Sequence, residues 1–320
     1  MELLIPDSPR PIRASLTWHR PLLVLAGAMA LLAVISLLGL ILDPREITGA
    51  PAWAKPLKFA LSIFIYALTL AWLMGLLTRG RRLAWWTATA AAAALAAEMV
   101  VIVGAVLFGT TSHFNVSTPL HATLWGVMAL SIVVVWLATL LVGILLALSR
   151  LGDRTVSWAV RAGVVLGLAG MGVAYFMTSP TSAQLEDFQG VAGAHAVGVP
   201  DGGPGLFLLG WSTVGGDLRV PHFVGMHALQ LLPIAALALA SAARRLPVLR
   251  PEGVRLGIVI VLSLLYAGTL VVLTLQALAG ESIVQPGPVT ATAATGLFVA
   301  AAAAIAVILR AGRSSTVRTT

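Results

Sequence analysis

An all-α, polytopic membrane bundle is the fold that this sequence predicts, on three observations. Hydrophobic residues make up 59% of the 320 and charged residues 10%, with a mean hydropathy of +0.97; a soluble domain carries about 25% charge. Apolar runs recur from end to end, each near the roughly 20 residues that cross a bilayer as a helix. The runs are continuously apolar, which sets aside a β-barrel, whose strands alternate over about ten residues.

Eight spans follow, at about 21–42, 56–77, 83–108, 120–148, 156–177, 222–243, 254–278 and 289–309, in a single transmembrane domain covering 1–320. The first follows Arg10, Arg13 and Arg20 and meets no small-residue cleavage motif before Asp43-Pro44, so it reads as a retained helix. The second opens on Lys55-Pro56-Leu57-Lys58, and the third carries Glu98, the one carboxylate inside any predicted span. The fourth opens on Thr118-Pro119-Leu120-His121 and the sixth on Val220-Pro221-His222, with Pro where a first helical turn favours it. The fifth ends on Tyr175 and Met177, and the seventh brings Gln276 to the same side. Pro233 is placed to kink the sixth span. A long loop, 178–221, is broken by Pro180, Pro200, Asp201-Gly202-Gly203-Pro204-Gly205 and Gly215-Gly216, which predicts turns and not a strand-rich domain. Phe188, Phe207 and Trp211 within it predict a loop folded back over the helices.

Net charge is +8, but the placement of the charge argues for topology and against nucleic acid. Of the 20 Lys and Arg residues, only Arg45, Lys55, Lys58 and Arg219 fall on the side opposite the N-terminus. The positive-inside rule then predicts both termini in the cytoplasm, and the Ala, Gly and Arg richness suits a bacterial inner membrane. Cysteine is absent, so disulfides, thiolate metal sites and thiol nucleophiles are excluded.

Functional residues gather on the predicted outer side. Of the 6 histidines, His113, His121, His195, His222 and His227 all belong there, and only His19 does not. Spans two, four and six start at equal depth with Lys55 and Lys58, then His121, then His222 and His227. Glu98 lies about ten residues, roughly 15 Å, from the outer end of its helix. A carboxylate at that depth needs a partner or a proton, and Lys58, His227 and Gln230 are the expected partners. His227 and Gln230 share a helix face, whereas His222 and His227 point about 140° apart on a regular helix. The two lysines, near a helix N-terminus that disfavours cations, point to an anionic partner: Glu98, a headgroup or a ligand. Asp217 and Arg219 read as a pair pinning the loop, and the Asp201 segment as a turn.

Three functions fit these residues. The first is a redox or metal protein, with His121 and His227 as axial ligands of a haem b, or His113, His195 or His222 completing a copper or zinc site. The second is a proton-coupled transporter, channel or small-ligand receptor, with Glu98 and His227 as a relay and Lys55 and Lys58 attracting an anion. The third is an enzyme acting on a lipid-linked substrate at the outer leaflet, with His222 or His227 as base, Asp217 orienting it, and Arg219 and Lys58 on phosphate. The bilayer is the one certain partner; the ligand is a small molecule or a lipid.

The stretches Ala52-Trp53-Ala54-Lys55-Pro56-Leu57-Lys58-Phe59, Asp201-Gly202-Gly203-Pro204-Gly205 and Gly216 to Gln230 resemble those of multi-span bacterial membrane proteins of uncharacterised activity. That resemblance implies the fold and the membrane, and no reaction. Paired histidines on the even-numbered helices, as in haem A synthases, are not matched, and no lysine lies in the last two spans for a retinal.

Overall fold

The chain is an all-α polytopic bundle whose eight long apolar helices have mean hydropathies of 1.6 to 2.7. A computed structural model describes residues 18–317; Arg10, Arg13 and Arg318 lie outside the described residues. The helices are α1 (Arg20–Leu42), α2 (Ala54–Gly75), α3 (Arg81–Leu107), α4 (Pro119–Ala147), α5 (Arg154–Val173), a short α6 (Ser182–Glu186), α7 (Arg219–Met226), α8 (Ala228–Ala242), α9 (Glu252–Leu278) and α10 (Pro288–Val317). Together α7 and α8 form one span, Arg219–Ala242.

The connections sort into two faces. At one, Thr78 N–H donates to Ser149 Oγ (3.3 Å) and Arg154 N–H to Glu252 Oε1 (2.8 Å), among short turns carrying most of the arginines. At the other lie 43–53, 108–118 and 174–218, which fold onto one another. Asn115 and Val191 form an isolated bridge, and a two-residue antiparallel ladder pairs β1 (Ala196–Val197) with β2 (Gly216–Asp217). We term these the arginine-rich and the loop-rich face.

Packing divides the bundle unevenly. A continuous core runs through α1 to α4 (Leu22, Ala60, Leu70, Ala88, Ile102, Val142), and α5 joins it to α7, α8 and α9 around Ala159, Ala228, Leu232 and Val259. Without a hydrophobic drive between helices in lipid, polar groups and small residues hold the interfaces. Tyr66 donates to the Thr139 hydroxyl (2.7 Å), the Trp136 indole to Leu168 O (3.1 Å) and the Trp158 indole to Ser263 Oγ (3.3 Å). α10 leans on α9 and the turn at Pro247–Leu249, and its most apolar window is 6% buried against 44% for α5. It is a peripheral helix.

The span Arg219–Ala242 breaks six residues before Pro233, at His227, for a reason the sequence hides. In a continuous helix the Val224 carbonyl would accept from Ala228 N–H. Here the Tyr266 hydroxyl of α9 takes that carbonyl, and His227 stands between two helices. α5 approaches this segment at Gly170, where a Cβ would sit 2.3 Å from the Gly225 carbonyl carbon, so backbone meets backbone.

That contact yields a test. Gly170→Ala should lower the thermal midpoint in mild detergent, by about 1–3 kcal/mol of overpacking. Gly172→Ala, two residues on with nothing within 4 Å of its Cβ, should leave the midpoint in place.

Candidate functional site

Glu98 is the centre of the polar cluster on the loop-rich face. It is 1% exposed on α3, and neither carboxylate oxygen has a hydrogen-bond partner among the described residues. Its nearest polar neighbour is His113, whose Nε2 lies 3.7 Å from Oε1. Lys55, one residue into α2, is within electrostatic reach but makes no ion pair with it. These neighbours correct the expected partners Lys58, His227 and Gln230. The sequence places His113 in a loop beyond the helix end, and only the fold of 108–118 returns it over Glu98.

Asn115 makes that return. It is 7% exposed, donates towards Thr110 Oγ1 and Thr111 O, and accepts from Ser117 N–H and Oγ, closing the loop on itself. Val116 N–H donates to Gly190 O (2.8 Å) and Ala192 N–H to Phe114 O (2.8 Å), so the long loop clamps the short one. The Ser112 hydroxyl sits 3.1 Å from His113 Nδ1. Aromatic rings enclose the imidazole: Phe59 of α2 (5.4 Å between centroids), Trp125 of α4 (5.5 Å) and Phe114 (6.0 Å). Phe59 lies one helical turn beyond Lys55, so ring and ammonium stem share a face of α2.

A second histidine closes the cluster. His195 Nδ1 donates to Asp201 Oδ2 (2.7 Å), and the same carboxylate accepts from the backbone N–H of His195 and Ala196. Its ring stacks tilted against Phe114 at 4.8 Å. The Asp201 segment is therefore more than a turn, because its carboxylate fixes the tautomer of a buried imidazole. That pairing joins two loop residues across Pro200, where no helical period marks it.

Three of the four cations on this face are engaged. Asp217, 3% exposed, accepts from Arg219 Nε (2.9 Å) and Ser212 N–H (2.8 Å), so this pair pins the loop. Arg219 also donates to Gly210 O (2.6 Å) and Lys58 Nζ to Leu209 O (2.7 Å), so two basic side chains hold successive carbonyls. Arg45 pairs with Asp43 at 2.7 Å. Lys55 alone of the four has no hydrogen-bond or ion-pair partner among the described residues. It lies in the field of Glu98, Lys58, Arg219 and Asp201.

Other predicted residues stand apart. Thr118 caps α4, its hydroxyl accepting from His121 N–H, and His121 Nδ1 lies 3.1 Å from that hydroxyl and 3.2 Å from Ser117 Oγ. His227 Nδ1 donates to Gln230 Oε1 (3.3 Å), and His222 Nδ1 to Gly170 O (2.9 Å). α5 neighbours both α4 and α7–α8, which share few contacts with each other, so His121 and His227 are not brought face to face. Among the described residues no three His, Asp or Glu side chains come together as a metal site.

Burial lowers the His113 pKa well below its ordinary 6.5, helped by the charge of Lys55, and lowers that of His195 against the opposing pull of Asp201. Burial works against the Asp201 charge, but the His195 and backbone donors outweigh it and hold the carboxyl down at about 2. The two histidines set a pH dependence. With folded pKa values below 6.5, their contribution is complete above that pH, and below it the unfolded chain binds more protons. The thermal midpoint should fall between about pH 7.5 and about pH 5.5, and less steeply in His195→Gln. An unchanged slope in that variant would remove His195 from the account.

No family model, no curated protein and no solved structure matches this chain.

Proposed function

We propose that this chain is a proton-coupled membrane carrier for a small solute, with Glu98 as the group that holds the proton. The observation that carries this reading is Glu98 itself: a carboxylate 1% exposed at membrane depth, with no hydrogen-bond partner among the described residues and a neutral imidazole 3.7 Å away. Ionisable residues at that depth are costly and usually serve ion or proton pathways. His113 offers one nitrogen to Glu98 and the other to Ser112, a ring able to take a proton at Nδ1 and release it at Nε2. The broken span α7–α8 supports the same reading, since interrupted helices at membrane depth line the substrate sites of many carriers.

Orientation belongs to this proposal. With the arginine-rich face in the cytoplasm, the site opens from the outer side of a bacterial inner membrane, and both termini are cytoplasmic. A haem bridging His121 and His227 has less support, because both imidazoles are taken up locally and their helices are not neighbours. A lipid-linked enzyme would need Arg219 and Lys58 free for phosphate, whereas both hold loop carbonyls.

Proteoliposomes loaded with a pH-sensitive dye and challenged with a panel of anions, cations, neutral solutes and amino acids test the reading. One solute class should drive proton entry, and Glu98→Gln should cut the rate to roughly a tenth or less. Equal rates in the two proteins, or no solute-driven proton movement in the wild type, would overturn it.

A further inference from the structure

We propose that the gap between Lys55 and Glu98 binds a small monocarboxylate, with the Lys55 ammonium on one ligand oxygen and the protonated Glu98 carboxyl on the other. This rests on the reading of Glu98 as the proton-holding group and names the class of solute.

Two groups without hydrogen-bond partners among the described residues lie within electrostatic reach of each other. Lys55 is the one cation of the loop-rich face without a partner among the described residues, and Glu98 is a nearly fully buried acid with two free oxygens. They feel each other's charge without closing an ion pair, so one ligand able to answer both would satisfy each. A cation would meet Lys55, Lys58 and Arg219 together. A dianion such as phosphate would need more donors than Lys55 supplies, since Lys58 and Arg219 already serve Leu209, Gly210 and Asp217. A monocarboxylate has two acceptor oxygens and one charge: Lys55 neutralises the charge, and an O–H on Glu98 fills the second acceptor. Phe59, Phe114 and Trp125 around His113 offer an apolar wall for the body of the ligand.

The same geometry couples binding to a proton. An ionised Glu98 would set carboxylate against carboxylate, so binding requires that Glu98 take one proton from solvent; anion and proton together leave the charge of the cluster unchanged. The groups facing this pair are His113 beside Glu98, and Lys58, Arg219, Asp201 and His195 about Lys55. Burial keeps His113 and His195 neutral, and Asp201 and Asp217 stay paired with His195 and Arg219. Lys55 and Glu98 remain, and the exchanged proton is assigned to Glu98, whose negative charge is the one a bound carboxylate would oppose.

Titration calorimetry on the purified full chain, with acetate and benzoate as probes and benzamide and benzylamine as controls, tests this. In buffers of different ionisation enthalpy, a carboxylate should bind with uptake approaching one proton at a pH where Glu98 is ionised in the free protein, and over that range affinity should fall about tenfold per pH unit. Lys55→Gln should weaken binding about tenfold or more at an unchanged thermal midpoint, and Lys55→Arg should restore most of it. Glu98→Gln, whose amide donates as the protonated acid does, should bind without taking up a proton. Failure of both carboxylates to bind, binding indifferent to Lys55→Gln, or binding without proton uptake at a pH where affinity falls with rising pH would each overturn the proposal. If another solute drives Glu98-dependent proton entry while neither carboxylate binds, the carrier stands and the ligand class falls. If a carboxylate binds with a proton but no Glu98-dependent flux is seen, the site stands and the carrier falls.

Discussion

A carboxylate buried among membrane helices must lose its charge or be met by one, and the loop-rich half of this molecule is arranged around that demand of Glu98. Three elements answer it. α2 brings Lys55 from one side, the loop after α3 folds back to set His113 at 3.7 Å, and the long loop clamps that return through Gly190 and Val191. The clamp is itself anchored in helices: Asp217 and Arg219 tie it to α7, and Lys58 ties it to α2. A change at Asp217 or Asn115 therefore reaches Glu98 without touching it. Protein cover over irregular backbone is also what lets these loops approach membrane depth, since an unsatisfied amide there costs several kcal/mol.

The bundle below the cap is built to a different rule. α5 touches α4, α7, α8 and α9, and it does so by being thin: Gly163, Gly167 and Gly170 present backbone to α7 and α8, where side chains would collide. This close approach fixes the height of the broken span against its neighbours. Tyr266, reaching from α9 to Val224, fixes where the break falls. Arg219 and His222 then sit within reach of His195 at the margin of the cluster, and His227 turns to its own neighbour Gln230. The break and the cap are coupled at Arg219, which begins α7 and holds Gly210 of the loop.

How much of this was legible in the sequence follows from the range of each interaction. The eight spans are readable because hydropathy is a local sum over about 20 residues, and so is the sorting of arginines to one face. Glu98 and Lys55 were singled out for the same reason: a charge in an apolar run is visible without any fold. Their neighbours were not. His113 and Asp201 lie in loops, where no period of 3.6 or 2 relates position to direction, so Glu98 was expected to meet residues on other helices. The His195–Asp201 pair depends on a turn whose Gly and Pro signal its existence and say nothing of what it faces. The break at His227 escaped for a third reason. Pro233 is the local signal for a kink, yet the carbonyl is taken by a tyrosine 42 residues away in sequence.

The unclosed pair of Lys55 and Glu98 carries the last step. A lysine in the first turn of α2 stands at the positive end of a helix, with Lys58 and Arg219 adding repulsion. Its charge is favoured only by the two carboxylates in its field, Glu98 and Asp201. Had the two groups closed into an ion pair, each would satisfy the other, and removing either partner would cost about 3–5 kcal/mol. Such a pair resists protonation and leaves nothing for a ligand to do. Held apart, the ammonium moderates the burial of the acid without fixing its charge, so the protonation of Glu98 answers to whatever lies between them. The cap is joined to this pair through α2: Lys55 shares that helix with Lys58, and Lys58 is tied to the loop that holds His113 and His195 in place.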